Sequence, residues 1–201
     1  MPQTGEKVAF NMKFCLKSKK NCGLKSGLHR YISMLEIIKT YYTYNSWATD
    51  RVLAACEQLS LEEYNAPGCS GNGSAGETLS HLIVTQQGWV AWFDKSLEMK
   101  EAFKLILTEK VSTLDEARAR WDSVNAATNR FVETLTDDAL KEIRHFTRSN
   151  GKEESHPLWK LMMHTANHGT HTRGQIAASI RRAGNDPGNI DMLNYVLNFG
   201  G

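Results

Sequence analysis

Histidine is the residue type whose placement in this sequence most strongly indicates chemistry. Five of the seven histidines follow residue 140, and three of them, His164, His168 and His171, lie in one stretch with a helical pattern. At about 100° per residue, these three project within an arc of roughly 60°. Neutral imidazoles bind divalent metals, and two of them at positions i and i+4 of a helix can hold one ion. The spacing alone is equally compatible with ordinary hydrogen-bonded histidines.

The other histidines are distributed singly. His81 lies in the middle of a second predicted helix, where a lone histidine is more often a hydrogen-bonded boundary residue than a ligand. His29, His145 and His156 fall in an N-terminal tail, a predicted hairpin and a helix entrance. We therefore expect these three not to bind metal.

Four long helices must position these side chains. Hydrophobic spacing near 3.6 residues predicts helices over residues 31–59, 74–93, 113–135 and 157–183. Two of them begin at capping boxes, Ser74 with Glu77 and Thr113 with Glu116. Pro157 is expected in the first turn of the last helix, and Arg181 and Arg182 in its last turn.

The segments between the helices are less regular. Asn150-Gly151 is a strong signal for a tight turn, so we expect two short strands around it. Residues 94–112 are mixed in character, and residues 190–199 are predicted to form a short terminal element. The predicted fold class is all-α, a four-helix bundle with a short β-hairpin before the last long helix.

Charge divides the chain into two parts. Residues 1–30 carry a net charge of +6 and the remainder −4. Residues 1–30 show no hydrophobic period and are expected to form a basic, disordered tail, followed by a bundle domain over residues 31–201. Such a tail would suit an anionic surface or targeting, and a third interpretation is that translation begins at Met34. The acidic domain gives no reason to expect nucleic-acid binding, and no apolar run approaches membrane-spanning length.

Two residue types bear on compartment and assembly. The four cysteines, at positions 15, 22, 56 and 69, match no zinc-ribbon or redox spacing, which favours reduced thiols in the cytoplasm, and Cys56 is expected in the core. Trp89 and Trp92 flank the apolar face of the second helix. They would suit either a homodimer interface or ordinary core packing.

Three sequence blocks resemble the DinB/YfiT-like family. They are YNSWA at residues 44–48, LSHL at 79–82 and NHGTHTRGQI at 167–176. The resemblance extends over about residues 34–197. It implies a four-helix bundle, often a homodimer, in which one histidine of the second helix and two of the last helix bind zinc or nickel. Carried over, His81 and His168 match ligand positions.

The third ligand position of the family matches Thr172 in this sequence. His171 at i+3 from His168, or His164 at i−4, would have to replace it, or water and Thr172 would complete the coordination. We predict His81, His168 and His171 as the metal ligands. Arg173 could pair with a carboxylate and Gly174 could allow a close approach between helices.

The resemblance implies metal-dependent transfer of a low-molecular-weight thiol onto an electrophile, and both would then be small-molecule partners. A hydrolase that uses metal-activated water would suit the same ligands. Because Thr172 replaces a histidine, a non-enzymatic stress protein with a metal-binding or vestigial site is the remaining interpretation.

Overall fold

The computed structural model describes residues 32–68, 73–148 and 150–199. The predicted tail over residues 1–30 lies outside these ranges. Within them the elements, in chain order, are α1 (Met34–Cys56), α2 (Leu61–Asn65), α3 (Ala75–Phe93), α4 (Met99–Thr108), α5 (Leu114–Glu133), α6 (Asp137–Lys141), β1 (Ile143–Thr147), β2 (Glu153–Pro157), α7 (Leu158–Arg182) and α8 (Met192–Phe199).

The four long helices α1, α3, α5 and α7 confirm the predicted bundle. Helix α7 packs against α1 and α3, and α5 packs against the same two helices. Both predicted capping boxes are present: the Ser74 hydroxyl accepts from the Glu77 N–H, and the Thr113 hydroxyl accepts from the Glu116 N–H. These caps satisfy N–H groups that lack partners within the helix, and they fix where α3 and α5 begin.

The β-hairpin is confirmed as well. Strands β1 and β2 are antiparallel, with His145 opposite Ser155 and Ile143 opposite Pro157. Gly151 has a φ of +80°, a conformation that side chains other than glycine rarely adopt.

The prediction that Pro157 lies inside the first turn of the last helix is wrong. Pro157 is the N-cap residue of α7, with an extended ψ of 144°. Its pairing with Ile143 keeps it in the strand conformation, so the helix begins one residue later at Leu158.

Three short helices, α2, α4 and α6, were not predicted. Helices α2 and α6 have only five residues each, too few to show a helical period in the sequence. Helix α4 lies within the mixed segment 94–112 and packs against α3. Gly88 allows that approach, because a Cβ there would lie 2.6 Å from Ile106 Cγ1.

The sequence left open whether Trp89 and Trp92 lie in the core or at a dimer interface, and the structure places both in the core. Trp89 and Trp92 are 9% and 8% exposed and contact Phe93 and Phe146, so both belong to the chain's own core. The prediction of a buried Cys56 is confirmed. Among the described helices, none is both long and apolar enough to cross a bilayer.

Candidate metal centre

The bundle brings His81 and His168 together. His81 lies in the first half of α3 and His168 in the middle of α7, and these helices are neighbours. Their Nε2 atoms are 3.1 Å apart, and their rings meet edge to face at 5.0 Å between centroids. Two residues that are 87 positions apart in the sequence therefore present their ring nitrogens to one point.

Burial favours the neutral form of both imidazoles. Burial lowers the pKa of His81. Burial and, to a smaller extent, the nearby His81, His164 and His171 together lower the pKa of His168 to about 4. A neutral imidazole has a lone pair on one ring nitrogen, and this is the form that binds a metal. The electrostatics of the pair therefore suit ligation near neutral pH.

Thr85 orients the ring of His81 from one helical turn away. Its Oγ1 is 3.4 Å from His81 Nδ1, so the ring is contacted on Nδ1 while Nε2 faces His168. Metal-binding histidines commonly donate a hydrogen bond from the nitrogen that does not bind the metal. Thr85 is an oxygen acceptor suited to that role, and it is buried.

The separation of the two nitrogens fits one metal ion. Nitrogen ligands lie about 2.0–2.1 Å from zinc, so two of them at ordinary bond angles are roughly 2.9–3.4 Å apart. The observed 3.1 Å lies within this interval. The same distance also allows a hydrogen bond from one neutral imidazole to the other.

The structure does not bring His171 to this pair. His171 is exposed, and its Nε2 lies 3.1 Å from the amide nitrogen of Gln175. Over the ranges the structure describes, no group of three or more His, Cys, Asp or Glu side chains is arranged around one point. His171 as the third ligand stays a prediction.

His164 lies four residues before His168 in α7, whereas His171 lies three residues after it. The His164 ring packs against Trp89 at 5.6 Å and is 6.5 Å from the ring of His168, measured between centroids. His145 and His156, which were expected not to bind metal, lie on the hairpin beside Ser155 and Glu154. His29 lies outside the described residues.

Thr172 is fully buried in α7. Its hydroxyl donates to the carbonyl oxygen of His168, 2.8 Å away in the preceding turn. The hydroxyl is therefore engaged by its own helix.

A buried polar network connects the long helices, and it was not predicted from the sequence. Arg173 Nη1 donates to Asn45 Oδ1 at 2.5 Å, Asn45 donates to Gln86, and Gln86 donates to Thr128. These residues belong to α7, α1, α3 and α5, so one chain of hydrogen bonds joins all four long helices. The available signal was Gln86, a polar residue within an otherwise apolar helix face.

The expectation of a carboxylate partner for Arg173 is wrong. Its guanidinium is fully buried and donates to the oxygens of Asn45, Thr49 and Thr170, and the Tyr44 ring is 5.4 Å away. Burial lowers the pKa of Arg173, while Tyr44 opposes that shift.

The expectation for Gly174 is also wrong. A Cβ at Gly174 would meet no atom within 4 Å, whereas a Cβ at Gly169 would lie 2.4 Å from Asn45 Oδ1 and 2.9 Å from Arg173 Nη1. Gly169 is therefore the residue that lets α7 approach α1, because it leaves room for the Asn45–Arg173 hydrogen bond.

Comparison with known proteins agrees with the fold and the sequence blocks. The model of the DinB family matches residues 34–197, nearly all of the described bundle. The chain belongs to the DinB family.

Two relatives show the extent of the similarity. Protein DinB of Bacillus subtilis is 28% identical over 146 residues, which cover 71% of this chain and 84% of the relative. The crystal structure of a DinB-like protein from Bacillus cereus superposes with a TM-score of 0.57 at 21% identity, over 76% of this chain and 94% of that chain. The second similarity supports the bundle fold of this DinB-family chain.

Proposed function

We propose that this DinB-family chain binds one divalent metal ion, zinc or nickel, between α3 and α7, with His81 Nε2 and His168 Nε2 as ligands. The observation that supports this most strongly is their 3.1 Å separation across two helices. The lowered pKa values of both rings and the contact of Thr85 with His81 Nδ1 also support it.

The proposed reaction class is transfer of a low-molecular-weight thiol onto an electrophile. A bound divalent metal would lower the pKa of a thiol or water molecule that it binds. Two protein ligands leave positions for such a small molecule. His81 also lines a cleft of about 440 Å³ whose other lining residues include Glu77, Ser80 and Lys110, which suit a polar thiol compound.

Metal content tests the first part of this proposal. Protein purified without a polyhistidine tag should contain about one zinc or nickel ion per chain by elemental analysis. His81→Ala and His168→Ala should lose the metal, while His145→Ala, which alters an exposed hairpin histidine, should keep it. Equal metal content in all four proteins would contradict the assigned ligands.

His171→Ala tests the third ligand separately. Loss of metal in this variant would show that His171 leaves Gln175 and joins the pair. Unchanged affinity would exclude His171 and leave solvent or substrate at the remaining positions.

The thiol requirement tests the reaction class. With metal-loaded protein and a chloro-aromatic acceptor, thiol consumption should depend on His168 and on added thiol. Turnover of an ester or amide without thiol would instead support a metal-dependent hydrolase.

Thr172 favours a second candidate, a non-enzymatic protein with a vestigial site. Its buried hydroxyl donates to the His168 carbonyl, at the position where the family resemblance places a histidine. In that case the two imidazoles hydrogen-bond to each other. The protein would then contain no stoichiometric metal, and His168→Ala would change neither metal content nor thiol consumption.

A homodimer and a cytoplasmic location remain predictions. Sedimentation equilibrium of the full chain would measure the first, and fractionation of the source cells the second.

A further inference from the structure

A second cleft lies between α3, α4, α7 and the hairpin. Its volume is about 570 Å³, within the range of roughly 300–1,000 Å³ that is common for small-molecule sites. Its walls include Trp89, Phe103, Ile106, Phe146, Leu161 and His164. The cleft is distinct from the one lined by His81, although Ile106 and Leu107 contribute to both.

The walls of this cleft are mainly aromatic. The rings of Phe103 and Phe146 both stand edge-on to Trp89, each at 6.2 Å between centroids, with interplanar angles of 82° and 90°. Phe103, Ile106 and Phe146 are only partly buried, so apolar surface remains available to a ligand. Aromatic walls favour a planar apolar molecule, because rings pack well both edge to face and in offset stacks.

The hairpin places one permanent cation, Arg148, at the mouth of the cleft. Arg148, Glu154 and His156 line it, and the Glu154 carboxylate lies 3.7 Å from Arg148, 3.3 Å from His156 and 2.8 Å from Lys152. Lys152, which does not line the cleft, lies nearer to this carboxylate than Arg148 does, so Glu154 is shared between two cations and the Arg148 guanidinium can also face a ligand. An anionic group on the ligand would be attracted to this mouth.

His164 connects this cleft to the histidine pair. Its ring lines the cleft, packs on Trp89 and is 6.5 Å from the ring of His168 between centroids. A molecule in the cleft could therefore contact a histidine that lies one helical turn before the proposed metal ligand His168. The exposed position of His164 leaves it accessible to that molecule.

We propose that this cleft binds a small planar aromatic molecule with an anionic substituent. The aromatic part contacts Trp89, Phe103 and Phe146, and the anionic group lies near Arg148. Binding requires no metal. The further role of this molecule as the electrophile rests on the function proposed above.

Calorimetric titration of the full chain, freed of metal by a chelator, tests the binding. The probes are 2-naphthoate and its uncharged analogue 2-naphthylmethanol. We expect 2-naphthoate to bind with one-to-one stoichiometry. Arg148→Glu should weaken it by about tenfold, because the reversal removes an attraction and adds a repulsion, while binding of 2-naphthylmethanol should change little.

Lys39→Glu is the matched control, because it reverses an exposed cation on α1 that does not line the cleft. This substitution should leave the affinity for both probes unchanged. Phe146→Ala, which removes a wall, should weaken both probes, and thermal unfolding would verify that each variant is folded.

Three results would overturn the inference. They are no binding of 2-naphthoate, equal binding to wild type and to both cleft variants, or a dimer in which a second copy covers the cleft and dissociates when Phe146 is replaced. The outcome is separable from that of the metal centre. If 2-naphthoate binds as expected and native protein contains no metal, the cleft inference stands and the proposed transferase fails.

Discussion

Thr172 occupies the position at which a histidine would add a third nitrogen ligand to the proposed metal centre. It lies four residues after His168, where an imidazole would have followed the same helix face, yet its hydroxyl is bonded to the helix backbone. If the pair binds metal, Thr172→His should tighten zinc binding by about tenfold or more, because a third nitrogen ligand is added. Competition with a chromogenic chelator would measure this affinity.

Asn167→His is the control for that substitution, since it places an additional histidine at an exposed position one residue before His168. A similar gain in both variants would indicate non-specific binding by surface histidines and would contradict a ligand position at residue 172.

Two glycines of α7 should respond oppositely to alanine. Gly169→Ala should lower the free energy of unfolding by about 2 kcal/mol or more, because the new Cβ would collide with the Asn45 amide. Gly174→Ala should raise it by roughly 0.5–1 kcal/mol, because the site is open and alanine restricts the unfolded chain. Urea denaturation would measure both, and equal effects would contradict the assigned close approach.

Cys56 should make stability depend on alkaline pH. Burial raises the pKa of its thiol to about 12, with a smaller opposing effect of Arg118. Between the ordinary pKa near 9 and this value, the unfolded thiol loses its proton while the folded thiol retains it. The free energy of unfolding should therefore fall as pH rises, by roughly 1–2 kcal/mol at pH 10.

The comparison that isolates this effect is with Cys56→Ala, which loses packing at every pH but has no thiol to ionise. The stability difference between wild type and variant should narrow from pH 8 to pH 10. A constant difference would contradict the raised pKa.

At the scale of the elements, the hydrogen-bond chain through Asn45 and Gln86 fixes the relative positions of the four long helices. Each helix contributes one polar side chain, and the buried Arg173 receives its neutral oxygen partners from α1 and its own helix. Such a network favours one helix register, because any slip would leave a buried charge without partners.

Asn45→Ala tests the network. Removal of the amide takes away a partner of the buried guanidinium and should destabilise the protein by about 3 kcal/mol. Asn129→Ala, at an exposed position of α5, should change stability by no more than about 0.5 kcal/mol. Chemical denaturation would measure both, and similar effects of the two variants would contradict a structural role for the network.

At the scale of the whole molecule, the proposed metal joins two helices through ligands that are 87 residues apart in the sequence. A ligand that binds only the folded state stabilises it by about 2.7 kcal/mol at a hundredfold excess over its Kd. Zinc added to metal-free protein should therefore raise Tm in wild type and not in His81→Ala. Calorimetry would show this, and an equal shift in both proteins would contradict a cross-helix ligand pair.

The amino-acid sequence by itself was sufficient to predict the four long helices and the hairpin. It also pointed to one histidine in each of the two helices that hold the proposed metal ligands. Capping boxes, hydrophobic periods and the Asn150-Gly151 turn are local signals, so the long helices and the hairpin could be predicted from them. The sequence blocks that resemble the DinB family predicted His81 and His168 as metal ligands. Helices α2 and α6 left no such signal, because five residues are too few to show a period.

Only the tertiary structure decided which side chains of different helices lie next to each other. Spacing along α7 could not show that His171 is exposed, that Gly169 rather than Gly174 faces α1, or that Arg173 pairs with Asn45. The reason is physical: sequence spacing gives the angle of a residue around its own helix, whereas the rotation and depth of that helix are set by packing against its neighbours. His81 and His168 are a pair because α3 and α7 pack side by side.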